Sequence, residues 1–236
     1  LKHINLKKAS DDIRKQLEKS NVFINEDEVI TEEKLQAFQN ATFAHLHNHT
    51  QFSVLQSTMD IGVMVKKSAK EKMSAIAMTD HGNMMGAFKF VSAIMDYNKS
   101  LAKANQVLIE NGEEPKDKEI KPIVGCEFFM CENHLDKSRK DNGYQIVLLA
   151  KNKKGYHNLA KLASAASING FYYVPRIDKE LIMQYKEDLI ALTGNLQGEV
   201  PNKILNLGEK QAEEALLWWK EQFQDDLYIE IMRHGQ

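Results

Sequence analysis

The chain contains the run Phe43-Ala44-His45-Leu46-His47-Asn48-His49, in which a short apolar stretch leads into histidines at alternate positions. A strand places alternate side chains on one face, so these imidazoles would all point the same way if the strand continued through the run. That is a poor arrangement for a solvated surface and a good one for holding a metal ion at the mouth of a barrel. The alternative, that they are core or surface residues, is favoured for a single histidine and disfavoured for three that alternate.

Short apolar runs alternate with amphipathic helical stretches from Thr42 onward. The runs are too short for helices and mostly apolar on both faces, which is typical of buried parallel strands. They cover residues 43–46, 75–78, 122–124, 146–149, 189–192 and 228–231. The helical stretches include residues 61–69, 159–166 and 212–223. Repeated strand-then-helix units predict an α/β fold that either closes into a barrel or stacks as a doubly wound sheet.

Two further polar clusters follow predicted strands. The first is Thr79-Asp80-His81-Gly82-Asn83, and the second is Gly125-Cys126-Glu127. Catalytic and ligand groups of α/β enzymes lie at the carboxyl ends of parallel strands, and a carboxylate such as Glu127 could bridge two divalent ions. The alternative for the first cluster is an ordinary strand-to-helix turn capped by Asp80 or Asn83.

The composition excludes several classes of protein. The formal net charge of −2 and pI near 6.5 exclude a generally basic nucleic-acid coat. The 2 Cys residues cannot form a disulfide framework and favour a reducing compartment. No run approaches the roughly 20 apolar residues of a membrane span, and the start Leu1-Lys2-His3 is no signal peptide. We therefore expect a cytoplasmic protein without a membrane partner.

The first part of the chain differs from the rest. Residues 1–41 are polar with sparse apolar positions, which predicts a helical linker or extension, and residues 42–236 carry the strand and helix pattern. Because the chain begins with Leu1 and not with Met, we expect it to be a piece of a longer protein.

Several motifs together resemble one family. The stretches at residues 43–53, 77–83 and 120–127 are joined by Gly155-Tyr156-His157-Asn158-Leu159 and by Gly170-Phe171-Tyr172-Tyr173-Val174-Pro175-Arg176-Ile177-Asp178. In this order they are similar to the polymerase and histidinol phosphatase (PHP) domain of bacterial DNA polymerase III alpha subunits. The resemblance implies a distorted (β/α)7 barrel with up to three divalent metals. It also implies that this chain stops before the last strand of the barrel and lacks its final Asp-x-His motif.

The resemblance assigns site residues position by position. Four positions match metal ligands of the family, and they are His47, His49, His81 and Glu127. Three positions carry neutral amides where the family has Asp, His, and Cys or His, and they are Gln56, Gln145 and Asn195. Since an amide offsets no cation charge, the resemblance implies a degenerate site in which zinc, manganese or magnesium is partly bound or absent.

The same resemblance implies a role. It is that of the N-terminal PHP domain of a replicative DNA polymerase, acting as a structural platform, with DNA and other replisome subunits as partners through the rest of the polymerase chain. One alternative is a metal-dependent 3′–5′ exonuclease or phosphoesterase acting in proofreading, and another is a free-standing phosphatase. Arg176 is a candidate phosphate or site contact, with a structural ion pair as the alternative. His134, which has no partner pattern, is expected at the surface or in local hydrogen bonds.

Overall fold

The computed structural model describes residues 43–231. The predicted extension, residues 1–41, lies outside the described residues. The helices are α1 Ile61–Lys70, α2 Ala87–Glu110, α3 Lys153–Ile168, α4 Lys179–Tyr185, α5 Glu199–Asn206 and α6 Glu209–Phe223. The strands are β1 Ala75–Met78, β2 Lys121–Met130, β3 Tyr144–Ala150, β4 Arg176–Ile177, β5 Leu189–Leu192 and β6 Leu227–Tyr228. The predicted α/β class is confirmed.

The strands form one mixed sheet in the order β1-β2-β3-β5-β6, with β4 pairing the end of β2. The pairs β1–β2 and β5–β6 are parallel, as the sequence predicted. The pair β2–β4 is also parallel, although β4 was not among the predicted strands. The pairs β2–β3 and β3–β5 are antiparallel, so the expectation of parallel strands was wrong for β3. The reason is the connection from β2 to β3, residues 131–143, which contains no helix and cannot carry the chain back for a parallel crossover.

The predicted first strand is not a regular strand. Residues 43–49 run beside β1 with a bend at His47, and isolated backbone bonds join them to it, such as Ala77 N–H to the His45 carbonyl at 2.9 Å. A side chain takes the place of one backbone acceptor: the Asn48 backbone N–H donates to Thr79 Oγ1 at 2.8 Å. The segment therefore has the position of a strand without its full hydrogen bonding.

Alternation along the strands separates two faces of the sheet. On one face Phe128 and Leu148 pack with Leu159 of α3 and Trp219 of α6 in a core of buried side chains. On the other face Ala77, Val147, Leu149 and Leu192 form a smaller apolar cluster. A third cluster packs α1 and α2 against β1. Within residues 43–231 no helix combines the length and apolar character that crossing a bilayer requires.

Arg176 is fully buried at the start of β4. Its guanidinium donates to four backbone carbonyls, at 3.1 Å to Gly170, 3.1 Å to Asp141, 3.3 Å to His134 and 2.8 Å to Asp136. Tyr172 lies beneath it, with its ring centre 5.4 Å from the guanidinium carbon. These contacts tie the 131–143 connection to the segment before β4. The candidate phosphate contact is thus engaged with backbone, and the ion-pair alternative is replaced by carbonyl contacts.

His134 is buried, so of its two expected roles the surface position is wrong, and its hydrogen bonds reach Asp178, 44 residues away. Its Nδ1 lies 2.5 Å from Asp178 Oδ2, and its backbone N–H donates to the same oxygen at 3.0 Å. Asp178 also caps α4 by accepting from the Leu181 N–H at 2.9 Å. Burial by itself raises the pKa of Asp178, but the bonds from His134 and Leu181 outweigh it and lower the pKa below 3.8.

We expect Arg176→Lys to lower the free energy of unfolding by about 2 to 4 kcal/mol, because an ammonium cannot reach carbonyls that a planar fork reaches together. Urea unfolding measures the change. The matched control is Arg139→Lys, whose exposed side chain pairs with Glu132 and should change stability by less than about 0.5 kcal/mol. Equal stability of the Arg176→Lys variant and the unchanged protein would show that the carbonyl contacts contribute little.

Asp178 should contribute stability that depends on pH in the acid range. Because its folded pKa lies below the unfolded value of 3.8, the contribution is present above that pH and is lost as the pH falls through the lowered pKa. Asp178→Asn should therefore cost about 1 to 3 kcal/mol at neutral pH, and the difference should shrink below pH 3.8. Denaturant unfolding at several pH values tests this, with the exposed Asp225→Asn as control. A difference in unfolding free energy between Asp178→Asn and the unchanged protein that does not vary with pH would contradict a lowered pKa of Asp178.

Candidate metal centre

His47 and His49 are positioned by the extended segment beside β1. The Thr79 N–H donates to the Asn48 carbonyl at 2.8 Å, and this bond fixes the backbone between the two histidines. His45, two residues earlier, is exposed. The alternation predicted all three histidines on one face, and this is wrong for His45, which is exposed, whereas His47 and His49 both face Glu127.

His81 and Glu127 are aligned by the continuation of the β1–β2 pairing. They form an isolated parallel bridge, and the Gly82 N–H donates to the Glu127 carbonyl at 2.8 Å. Gly82 has a φ of +66°, and a Cβ there would come within 2.6 Å of Pro175 Cγ, so only glycine fits this turn. Glu127 lies on the sheet face opposite to Phe128, beside the smaller apolar cluster.

Three imidazoles converge on the carboxylate of Glu127, which is 1% exposed. His47 Nε2 lies 2.5 Å and His49 Nε2 3.3 Å from Oε2. His81 Nδ1 lies 2.5 Å from Oε1, without the angles of a hydrogen bond. Oε2 therefore faces two imidazoles and Oε1 faces a third, which is the arrangement expected of a bridging carboxylate.

The contacts shift the pKa values of the central pair. Burial alone lowers the pKa of His47, but hydrogen bonds with Glu127 and Glu230 outweigh burial and raise it to about 9. Burial alone raises the pKa of Glu127, but its contacts with His47, His49 and His81 outweigh burial and hold that pKa well below its usual range.

Asp80 supports the cluster without belonging to it. Its buried carboxylate accepts from the Thr50 N–H at 2.6 Å, from Thr50 Oγ1 at 2.7 Å and from Ser53 Oγ at 2.7 Å. These bonds anchor the turn that follows His49. Neither Asp80 nor Asn83 caps α2, whose N-cap is Gly86, so the capping alternative is wrong. Asn83 accepts from the Met85 N–H at 3.1 Å within the turn.

The donor set fits a divalent cation. Ligand atoms of His47, His49 and Glu127 lie within 4.8 Å of one another. Within residues 43–231, buried side-chain atoms without a hydrogen-bond partner occur at His49 Nε2, His81 Nδ1 and Nε2, Glu127 Oε1, Gln145 Oε1 and Glu230 Oε2. Buried polar atoms normally have partners, and imidazole nitrogen with carboxylate oxygen is a donor set that zinc and manganese accept.

The three amide positions have different surroundings. Gln145 is opposite Phe129 in the β2–β3 register, so it shares the sheet face of Glu127, and its Oε1 is buried and unpaired. Gln56 is exposed in the loop after Ser53. Asn195 accepts from the Gln197 N–H at 2.8 Å and thus stabilises its own turn. Only Gln145 of these three presents an unpaired buried atom on the face of the cluster.

Glu230 is a site residue that sequence reasoning missed. Its Oε1 lies 2.7 Å from His47 Nδ1. The signal was a carboxylate in the apolar run at residues 228–231, the same kind of signal that identified Glu127 after residues 122–124. An open groove of about 1520 Å³ lies beside His47 and Glu230 and is lined by apolar side chains that include Ile123 and Leu149.

Comparisons with known proteins identify the family of the chain. The PHP domain profile matches residues 45–234. DNA polymerase III subunit alpha of Borreliella burgdorferi is 38% identical over 197 residues, covering 82% of this chain and 15% of that protein. The same subunit of Aquifex aeolicus is 40% identical over 203 residues, covering 82% of this chain and 16% of that protein. The chain thus spans about 15% of the length of these relatives.

A solved structure is distantly similar. It is a Bifidobacterium adolescentis protein provisionally named a metal-dependent phosphoesterase, with 15% identity and a TM-score of 0.32, covering 53% of this chain and 33% of that one. That similarity is too low to carry an inference about fold or function. The family assignment comes from the profile match over residues 45–234, and this chain belongs to the PHP domain family.

Proposed function

We propose that the chain serves as the PHP domain of a DNA polymerase III alpha subunit, where it is a structural platform that retains a divalent metal site. The observation that carries the proposal is the convergence of His47, His49 and His81 on Glu127. The identity of 34–40% to alpha subunits supports the choice of parent protein. Its partners would be the remaining domains of the polymerase chain and, through them, DNA and other replisome subunits in the bacterial cytoplasm.

The metal would be held by His47, His49 and Glu127, with His81 on the second carboxylate oxygen. A bound divalent ion supplies Lewis acidity and lowers the pKa of a coordinated water. The residues themselves come from the segment beside β1, from the turn after β1 and from the middle of β2. The ligands of one ion would thus come from two of these segments, since His47 and Glu127 are 80 residues apart, and the turn with His81 would be attached through Glu127. The binding energy of the ion would add to the stability of the fold.

The amide positions favour the platform over a phosphoesterase. A site that activates water with several metals needs anionic ligands to offset their charge and imidazoles as strong donors, and Gln145 supplies neither. Gln56 is exposed, and Asn195 is engaged in its own turn. The described residues thus offer ligands for one ion, or two sharing Glu127, and fewer than a trinuclear hydrolytic site requires.

If the metal site is present, zinc or manganese binding should depend on His47 and Glu127. Zinc or manganese at 100 times its dissociation constant should stabilise the folded chain by about 2.7 kcal/mol, and His47→Ala and Glu127→Gln should lose this gain. Thermal unfolding with and without metal, together with elemental analysis, measures it. The control is His157→Ala, which removes an exposed imidazole on α3.

The platform predicts no nuclease activity in the same preparations. A single-stranded DNA with a labelled 3′ end should stay intact with the metal-loaded chain. Cleavage by the unchanged protein that is lost in His47→Ala would contradict the platform and support the exonuclease. Absence of any zinc or manganese binding would contradict the metal site.

Gln145→His should increase metal retention, because it places an imidazole on the same sheet face as Glu127 at a position whose present side-chain oxygen is buried and unpaired. We expect more metal per chain after dialysis against a weak chelator, as measured by elemental analysis. The control is Gln197→His on an exposed turn. Unchanged metal content would argue that Gln145 does not stand at a lost ligand position.

A further inference from the structure

His47 is held between two carboxylates on opposite sides of its ring. Nε2 lies 2.5 Å from Glu127 Oε2, and Nδ1 lies 2.7 Å from Glu230 Oε1. Since an ionised carboxylate can only accept, the Nδ1 atom facing Glu230 must carry a hydrogen. By the same reasoning Nε2, which faces the ionised Glu127, carries a hydrogen in the metal-free cluster. A cation at Nε2 would displace that hydrogen, whereas the contact with Glu230 would keep the hydrogen on Nδ1.

Glu230 does not belong to the ligand group itself. The ligand atoms that lie within 4.8 Å of one another come from His47, His49 and Glu127. The two nitrogens of an imidazole point away from each other, so an ion on the Nε2 side is beyond the reach of a carboxylate on the Nδ1 side. Glu230 is therefore placed to act on the site through His47.

The position of Glu230 is fixed by the neighbouring strand. Its backbone N–H donates to Thr193 Oγ1 at 3.0 Å, and the Thr193 N–H donates to the Tyr228 carbonyl at 3.1 Å. The Glu230 side chain is 10% exposed, and its Oε2 is buried without a partner. Burial in this fixed orientation removes much of the hydration of the Glu230 carboxylate, and the bond to His47 must offset that loss.

We propose that Glu230 is a positioning residue of the metal centre: it holds the His47 ring with Nδ1–H directed at its own carboxylate, so that Nε2 faces the cation. The inference rests on the proposed metal site. Carboxylates that orient ligand imidazoles typically change metal affinity by about 10- to 100-fold when removed. Glu230 would connect the end of the sheet near β6 to a cluster otherwise built on β1 and β2.

The test compares Glu230→Ala and Glu230→Gln with the unchanged 236-residue chain. Zinc affinity is measured by competition with a chromophoric chelator. We expect Glu230→Ala to weaken binding by about 10- to 100-fold, and Glu230→Gln, whose amide oxygen can still accept from Nδ1–H, to weaken it less. The control is Glu221→Ala, an exposed carboxylate on α6 that should leave the affinity unchanged.

A second readout needs no metal. In proton NMR spectra of the metal-free chain, the His47 Nδ1–H should be a downfield, slowly exchanging signal that is lost in Glu230→Ala and kept in Glu221→Ala. Zinc affinity within twofold of the unchanged protein in Glu230→Ala, or persistence of the signal in that variant, would overturn the inference and leave the metal site standing. Failure of the unchanged chain to bind zinc or manganese would overturn the metal site and the inference with it, even where the NMR signal behaves as expected.

Discussion

The buried carboxylate of Glu127 is the constraint on which the candidate site depends. An ionised carboxylate that is 1% exposed loses several kcal/mol of solvation unless opposite charge and donors replace the water. His47, His49 and His81 supply that replacement, and they lie far from Glu127 along the chain. The histidines meet Glu127 only when β1 pairs with β2 in the correct register. Folding of this region therefore also assembles the site.

Strand alternation in β2 serves two purposes at once. Cys126 and Phe128 enter the main core, while Glu127 between them faces the histidines. A slip of one residue would place the carboxylate in the core and Phe128 among the imidazoles, at a cost in both places. The same pairing aligns Val147 opposite Glu127, so an apolar floor lies beside the charged cluster. A low-polarity neighbourhood strengthens the attraction between Glu127 and His47.

Much of this arrangement is present in local sequence patterns, and the remainder depends on contacts between distant residues. Alternating histidines and polar residues after apolar runs predicted the positions of His47, His49, His81 and Glu127, because period and strand-end placement are local properties. The connection from β2 to β3 has no helical pattern in the sequence. The antiparallel direction of β3 that results from it is seen only in the strand pairing. The burial of His134 by Asp178 and the carbonyl contacts of Arg176 join segments about 40 residues apart. No local period signals such pairs.

Charge distinguishes the two roles considered for the site. Asp80 is committed to Thr50 and Ser53, and Glu230 faces the far nitrogen of His47, so among the described residues Glu127 is the carboxylate placed to neutralise a cation directly. One divalent ion on Glu127 leaves a single positive charge, whereas further ions would meet neutral imidazoles and the amide of Gln145. Each added ion would therefore be held against growing repulsion in a partly buried place. The balance of charge favours one firmly held cation, which would join the segment beside β1 to β2, as the proposed platform requires.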